Sequence, residues 1–536
     1  MNAWRSFYAL GLLAFVAAPL LLPYGELAQP ATWRWTGADG SRLLHLSVNT
    51  LALVSGTVTL SLPIGLGLAV LLFRTSLGGR QFFLFLLALG LFVPLPIIVS
   101  SWQSFFGADG WLPLGFWHGP DYRPWMTGLG PAIWIHALAA IPWITFIVGI
   151  GLTWVEPELE DEAAQVVGPW RVLFLVTLPR VRASLLAAVL FVVLQTAGEI
   201  SVTDMMLVST LAEEVHTQFT LGDRAALART LIVSFPSLLL TWAAVLGILS
   251  HLENALPPLA PPFRSHRALT LGPAWLRFIS VVGLVIFLAV PIMSLLWKLG
   301  LAGEPREWRL TVAWHFLHAE AMLKGTDLLA MIGTTFVTGF LVAGLALMGC
   351  WLARDSRWFR GLLFGILTWA WVTPGPVVGI GLHELILLLP PGPWKELLYY
   401  GPSPVPLMWA QAIRALPIVV VFLWPIVRMI PREMFEEARL HGAGALSEWL
   451  HVVWPMARRA FAVTVLAACA LCLGEVAASV RVGTPGCESF TMLLFDRMHY
   501  GVENTLAALC VLMLGSLAII GIVGGCVSVW MRPYQP

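Results

Sequence analysis

The chain has 536 residues, of which 58% are hydrophobic and only 11% are charged. Soluble domains carry about 25% charged residues, and apolar runs of about 20 residues recur along this chain, so its composition excludes a water-soluble fold. The formal net charge of +1, without any basic tract, gives no sign of a nucleic-acid partner. An all-α polytopic membrane protein surrounded by lipids is predicted.

Twelve transmembrane helices are predicted, as two tandem six-helix repeats. Residues 1–250 form the first half, residues 251–274 form a polar, proline-rich cytoplasmic linker, and residues 275–536 form the second half. In chain order, the predicted spans lie near 7–23, 45–73, 82–106, 130–154, 184–208, 229–250, 275–298, 327–353, 360–390, 405–428, 459–480 and 505–530.

The first apolar run also has the short length and basic flank of a signal peptide, with Arg5 in front of it. However, the pattern Gly-Leu-x-x-Phe-x-Ala-x-Pro that begins at Gly11 recurs at Gly283, 272 residues later. A signal peptide cannot lie in the middle of a chain. We therefore interpret both runs as true helices.

Two polar segments, 156–182 and 431–459, interrupt the apolar pattern. The first opens with five acids in seven residues and continues with alanines, a composition that favours a helix. We expect Gly168 and the proline after it to end that helix, and a second short helix to follow over 170–177. The second segment is expected to repeat this helix-turn-helix around Gly442.

The polar segments belong to a longer internal repeat. Pro179 and Pro455 lie 276 residues apart, and so do Glu199 and Glu475, each of which follows a glycine. With an even number of helices in each half, both halves cross the membrane in the same direction, related by an axis along the membrane normal. The bias of Lys and Arg between the two sides places both termini and both polar segments in the cytoplasm.

The polar segments resemble the coupling loop of membrane subunits of ATP-binding-cassette importers, in which Glu-Ala-Ala is followed by Gly and then by Pro. The matching residues are Glu162, Ala163, Ala164, Gly168 and Pro179 in the first loop, and Glu436, Ala438, Gly442 and Pro455 in the second. The first loop has eleven residues from Gly to Pro instead of the thirteen in the second, which predicts a trimmed or rotated second helix. The Gly-Glu pairs and residues 474–514 resemble the fused two-half permeases of the iron(III) and thiamine type.

This resemblance implies that the two loops dock on two copies of a cytoplasmic ATP-binding subunit, where Glu162 and Glu436 pair with basic residues. It also implies an external solute-binding protein, a location in the bacterial plasma membrane, and a small-solute substrate. Ferric iron is the first expectation for that substrate, with thiamine or a phosphonate as alternatives. Since no lysine follows a glycine, the chain has no P-loop. ATP is therefore expected on the partner, and the chain is expected to be neither an enzyme nor a holder of a cofactor or metal.

Four residues are candidates for the translocation pathway. Glu199 and Glu475 are expected deep in the fifth helix of each half, where an ionisable group is costly and either functional or bonded between helices. Pro96 and Pro376 are expected to kink or break the third helix of each half. Arg414 lies either in the cavity or at the outer interface. The alternative function is a self-sufficient secondary transporter, coupled to H⁺ or Na⁺ through Glu199 and Glu475.

Overall fold

A computed structural model of the protein describes residues 2–28, 30–34, 37–107, 110–112, 115–118, 121–124, 126–255, 274–303, 306–487 and 489–530. Eight helices in these ranges are long and apolar enough to cross a membrane, or up to eleven if each of three bent helix pairs is one span. An all-α membrane-spanning architecture is therefore confirmed. Residues 256–273, which hold most of the predicted linker, lie outside the described residues.

The first half is built from helices that follow the apolar runs of the sequence. They are α1 Asn2–Leu12, α2 Ala18–Leu21, α3 Gly37–Arg74, α4 Arg80–Gly90, α5 Leu95–Phe106, α6 Leu129–Leu152, α7 Pro157–Ala164, α8 Pro169–Val172, α9 Leu178–Arg180, α10 Arg182–Ala197, α11 Ser201–Met205, α12 Leu211–Leu221 and α13 Arg224–Ala255. Single π-helical turns cover Leu13–Ala17 and Leu173–Thr177, and 3-10 turns cover Leu22–Ala28 and Pro30–Trp33. Strands β1 Gly115–His118 and β2 Asp121–Pro124 pair antiparallel.

The part of the chain predicted as the second half begins after α13. Its helices are α14 Ala274–Leu299, α15 Leu310–Arg354, α16 Arg357–Val372, α17 Gly375–Leu387, α18 Pro393–Lys395, α19 Val405–Met429, α20 Arg432–Leu440, α21 Ala445–Glu448, α22 Trp454–Gly474, α23 Phe490–Met498 and α24 Asn504–Trp530. The π-helical turns are Glu396–Tyr400 and Trp449–Val453, and a 3-10 turn covers Ser479–Arg481. Strands β3 Leu301–Ala302 and β4 Glu307–Trp308 pair antiparallel.

The third predicted span of each half is broken by proline. Helices α4 and α5 meet at 104°, and α16 and α17 meet at 109°. Pro94 and Pro374 stand directly before α5 and α17 and have extended backbones. Each proline donates no backbone hydrogen bond and disfavours helix in the residue before it, so the preceding helix cannot continue through it. The predicted breaks are confirmed, but they lie at these prolines. Pro96 and Pro376 are buried in the first turn of the helices that follow.

Two predictions of helix extent are wrong. The predicted spans 184–208 and 459–480 run through the Gly-Glu pairs, but α10 ends at Ala197 and α22 ends at Gly474. Glu199 and Glu475 therefore lie just beyond a helix end instead of within a helix. Glycine destabilises a helix because it loses much conformational freedom there. The carboxylate of the glutamate that follows can accept hydrogen bonds from the next backbone N–H groups, and these bonds compete with continuation of the helix.

Within each half, the longest helix packs along two others: α3 along α6 and α10, and α15 along α19 and α22. The first helices, however, pack on the opposite half. In the first half, α1 and α2 lie on α15, α16 and α17, where Tyr8 Oη donates to the Leu345 carbonyl at 2.8 Å. In the second half, α14 lies on α5 of the first half as well as on α15 and α24 of its own half. This exchange buries Leu12 and Leu20 in the core of the second half, so neither half is complete alone.

Candidate functional site

Glu475 is held at the end of α22 by the chain itself. Its backbone is extended, and its Oε1 accepts a hydrogen bond from the Ala478 N–H at 2.8 Å. Its Oε2 accepts from Arg414 Nε at 3.3 Å. Both side chains are mostly buried, with 13% of Glu475 and 8% of Arg414 exposed. A buried charge pair of this kind is stable only when further hydrogen bonds satisfy both partners.

Arg414 supplies those further bonds from α19. Its Nη1 donates to the carbonyl of Thr373 at 2.7 Å, and to those of Ala370 and Trp371 at 3.4 and 3.5 Å. These carbonyls lie where α16 ends, and the last carbonyls of a helix lack partners within it and carry partial negative charge. The side chain of Arg414 therefore points into the protein at the broken third span, which decides between the two positions that its sequence context allowed.

Glu199 occupies the corresponding place in the first half, with different partners. Its Oε1 accepts from the Ser201 N–H at 2.6 Å and from the Ser201 hydroxyl, and its Oε2 accepts from the Val202 N–H at 3.0 Å. The carboxylate thus caps the start of α11, as negative charge at a helix N-terminus does. His136 Nε2 lies 3.7 Å from Oε2, too far for a hydrogen bond.

Both carboxylates line one cavity of about 120 Å³ between the halves, together with Arg414 and His136. The halves also bond directly there, since the Gly375 N–H donates to the Gly198 carbonyl at 3.4 Å. The two acids are therefore bonded structurally and exposed to a shared cavity at the same time. Pro96 and Pro376 are not among the lining residues, whereas Pro94 is.

The first polar loop is fastened to the membrane helices by a carboxylate. Glu160, on α7, pairs with Arg74 at the end of α3 and accepts from Thr177 Oγ1 at 2.5 Å. The side chains of Arg74 and Glu160 are only 1% and 7% exposed. At the rim of the loop, Arg180 and Glu156 are 4.0 Å apart. Sequence analysis did not separate Glu160 from its acidic neighbours, although Arg74 at the end of a span was a signal for a buried partner.

The second polar loop is fastened differently. Arg354 ends α15 as Arg74 ends α3, but its guanidinium lies 3.8 Å from the centre of the Phe435 ring and donates to the Ile430 carbonyl at 2.7 Å. The buried acid of this loop is Glu448, on α21, which accepts from Arg439 Nε at 2.9 Å. The hydrogen bonds that Arg439 donates to Glu448 raise the pKa of Arg439 above its ordinary value. Arg74 and Arg354 thus hold their loops by an ion pair and a cation–π contact respectively.

Counting from the starts of the loop helices gives a second way to match the two loops, beside the sequence motif. Glu162 lies six residues after Glu156, which directly precedes α7, and Glu437 lies six residues after Pro431, which directly precedes α20. In the turns that follow, the Ala163 carbonyl accepts from the Val167 N–H and the Ala438 carbonyl accepts from the Ala443 N–H, both at 2.9 Å, so the second turn is one residue longer. Counted from the helix start, Glu162 corresponds to Glu437, whereas Glu436 remains its match in the sequence motif, and all three side chains are exposed.

The predicted trimming of the second short helix is wrong. In each loop, a four-residue helix, α8 or α21, is followed by a five-residue π-helical turn. Gly168 and Gly444 precede these helices with similar backbones, at φ −71° and −75°, and each lies eleven residues before the loop proline. Gly442, at φ +79°, lies in the turn before Gly444, so the difference in length lies ahead of the second helix.

Both loops expose apolar side chains beside their matching acids. Val166, two residues after the end of α7, and Leu440, the last residue of α20, are 86% and 88% exposed. Trp170 and Leu446, at the start of the second short helices, are exposed as well. The remaining residues of the predicted motif, Ala164, Pro179 and Pro455, are also exposed. Such paired apolar surfaces, rimmed by carboxylates, are typical of protein interfaces.

The chain matches no known protein-family model and no curated protein.

Proposed function

We propose that this chain is the permease subunit of a binding-protein-dependent ATP-binding-cassette importer, with twelve spans in two tandem six-helix halves. The observation that carries the proposal is the pair of loops with matching helices and matching exposed residues. A self-contained transporter has no need for two such surfaces. Support also comes from the cavity at the meeting point of the halves, where Glu199 and Glu475 lie.

Each loop would dock on one copy of a cytoplasmic ATP-binding subunit. Glu162 and Glu437 would pair with basic residues of that subunit, while Val166 and Leu440 would bury their apolar side chains against it. Both termini would then be cytoplasmic, in the plasma membrane of a bacterium. An external solute-binding protein would deliver the substrate to the opposite face.

Transport would proceed by alternating access. Closure of the ATPase dimer would move the two loops together, and the rigid links Arg74–Glu160 and Arg354–Phe435 would transmit this movement to the ends of α3 and α15. The cavity between the halves would then open to one side or the other. The substrate would be a small solute, with ferric iron as the first expectation and thiamine or a phosphonate as alternatives.

The test is assembly and uptake with the ATP-binding subunit encoded beside the gene. We expect the double variant Val166→Glu/Leu440→Glu to lose binding of that subunit and ATP-driven uptake, while keeping the thermal stability of the permease, since both side chains are exposed. Lys324→Ala, near the opposite end of α15 from Arg354, serves as the control and should transport normally. Full uptake in proteoliposomes without any ATPase would overturn the proposal.

One observation favours the alternative of an ion-coupled secondary transporter, namely that both carboxylates line the same cavity. In that case uptake would follow an H⁺ or Na⁺ gradient and would stop in Glu199→Gln. The same proteoliposomes, with an imposed gradient and no ATP, distinguish the two functions.

A further inference from the structure

The broken third span ends its first helix with different hydrogen-bond partners in the two halves. In the second half, Arg414 donates to the carbonyls of Ala370, Trp371 and Thr373 and to Glu475. Counted back from the helix-breaking prolines, the same three positions in the first half are Gly90, Leu91 and Val93, since Pro94 corresponds to Pro374. All three of these residues line the central cavity.

The first half has no arginine at the position that corresponds to Arg414. Helices α6 and α19 align through Pro131 and Pro406, Trp134 and Trp409, and Pro142 and Pro417, each pair 275 residues apart. Arg414 then aligns with Ala139, whose methyl group lines the cavity. The first half therefore has the acid, Glu199, and the helix end, but it places no cation of its own between them.

We propose that this part of the cavity is a binding site for a nitrogen cation, a protonated amine or a guanidinium group, in the place that corresponds to the Arg414 guanidinium. Arg414 serves as the template: the second half holds a guanidinium with one carboxylate and the carbonyls of a helix end. In the first half, the cation would contact the Glu199 carboxylate and the carbonyls at the end of α4, where the helix dipole favours positive charge. This inference rests on the proposed function for its role: there the site selects the transported solute, which would then be a nitrogen cation instead of ferric iron.

A second observation points to a ligand at the same place. His136 is 4% exposed and lines the cavity, and within the described residues its Nε2 has no hydrogen-bond partner. Buried polar atoms without partners are rare in folded proteins, so an unpaired nitrogen facing a cavity is typical of a site that a ligand completes. A neutral His136 would accept a hydrogen bond from the N–H group of an amine or guanidinium.

The chemistry of the template favours a nitrogen cation over a metal ion. In the second half, one carboxylate and several helix-end carbonyls bind a guanidinium through hydrogen bonds of 2.7 to 3.5 Å. No group of three His, Cys, Asp or Glu side chains that could hold a metal occurs in the described part of the chain. A guanidinium with planar N–H donors suits a carboxylate and several carbonyls at once.

Direct binding to the purified permease in nanodiscs tests the proposal without any ATPase, so its result is independent of the importer assignment. The probes are methylguanidinium and methylurea, which share a planar shape but differ in charge, since methylurea carries a carbonyl oxygen in place of one NH2 group. A fragment of this size should bind at about 1 mM, and the cation should bind at least about tenfold tighter than methylurea. Equal affinities, or no binding of methylguanidinium up to about 50 mM, would overturn the proposal.

Two sets of variants locate the site. Glu199→Gln keeps an acceptor for the backbone of α11 and should weaken methylguanidinium binding about tenfold, while Glu213→Gln, on α12 outside the cavity, should leave it unchanged. Ala139→Arg supplies a tethered guanidinium and should abolish binding in a folded protein, whereas Ala137→Arg, at a fully buried position outside the cavity, should unfold it. Displacement of methylguanidinium by Mn²⁺ would indicate a metal site and contradict the proposal.

Discussion

Arg354 lies over the ring of Phe435, 3.8 Å from its centre, in the place where Arg74 of the first half pairs with Glu160. Each arginine ends the longest helix of its half and contacts the buried side of the loop helix that follows. The two loops therefore share a shape but differ in how they are fastened. Because the first link is a buried ion pair and the second is not, their responses to mutation should differ.

Removing one partner of the first link should be costly. Arg74→Met leaves the Glu160 carboxylate buried without its cation, and we expect the loss of roughly 3–5 kcal/mol that follows from breaking a buried pair. Arg74→Met/Glu160→Met should be less damaging than Arg74→Met alone, because no charge remains buried. Thermal unfolding of the purified protein measures both. A double variant less stable than Arg74→Met would contradict the role of Glu160 as a buried charged partner.

The contact between Arg354 and Phe435 should tolerate replacement by an ion pair like the one between Arg74 and Glu160. Phe435→Glu places a carboxylate beside Arg354, so we expect the variant to fold, with a stability that falls steeply as the pH drops through the carboxylate range. Phe435→Leu, which keeps an apolar side chain without the ring, should show no such pH dependence. Melting temperatures between pH 4 and 8 compare the two variants. The same slope in both would show that no new ion pair forms.

Under the proposed function, the matching of the loops from their helix starts predicts which acid would engage the ATP-binding subunit. Glu437→Ala should reduce ATP-driven uptake about as much as Glu162→Ala, since both residues lie six positions after the residue that precedes the loop helix. Glu436→Ala should have a smaller effect. Uptake at equal permease levels in membranes measures all three variants. If Glu436→Ala were the more damaging change in the second loop, the partner would follow the sequence motif instead of the helix position.

Arg414 should be essential for the stability of the broken span. Arg414→Met leaves Glu475 buried beside the unpaired carbonyls at the end of α16, and a loss of roughly 3–5 kcal/mol is expected. Arg414→Lys keeps the charge but cannot reach the carboxylate and the carbonyls together, so its stability should be intermediate. Arg459→Met, at an exposed position of α22, should change stability by no more than about 0.5 kcal/mol. Thermal unfolding ranks the three variants.

His216, on α12, should make the protein sensitive to acid. Burial and the nearby Arg481, whose Nη2 lies 3.3 Å from His216 Nε2, lower the pKa of this histidine from 6.5 to about 4. A lowered folded-state pKa means that the stabilising contribution is complete above pH 6.5 and is lost as the pH falls from 6.5 towards 4. His216→Gln should therefore flatten the melting temperature in that window. An unchanged pH profile would exclude this residue as the cause.

Gly442 should be the residue of the second loop that least tolerates a side chain. At φ +79°, Gly442→Ala forces an L-residue into the left-handed region, which costs roughly 1–2 kcal/mol. Gly444→Ala is the matched control, because its φ is −75° and an added methyl group meets no atom within 4 Å. Thermal unfolding should separate the two variants, and equal melting temperatures would contradict a strained turn.

Features that depend on local sequence were predicted well. Apolar runs located the spans because a membrane requires about 20 apolar residues for each helix, and paired prolines located the two breaks because proline interrupts the backbone ladder at its own position. Composition also located the two-helix form of the polar loops. The ends of α10 and α22 were missed, since the bond between each glutamate and the backbone beyond it competes with helix continuation at a point that hydropathy does not mark.

The sequence by itself determined the helices, the matching landmarks and the presence of acids near the middle of the chain's apolar runs. Only the tertiary structure decided which charges meet. It separated the buried Glu160 from its exposed neighbours, brought Arg414 to the end of α16, and exchanged the first helices between the halves. The physical reason is that a charge is stabilised by partners from distant parts of the chain, whereas hydropathy and helix propensity act over a few residues.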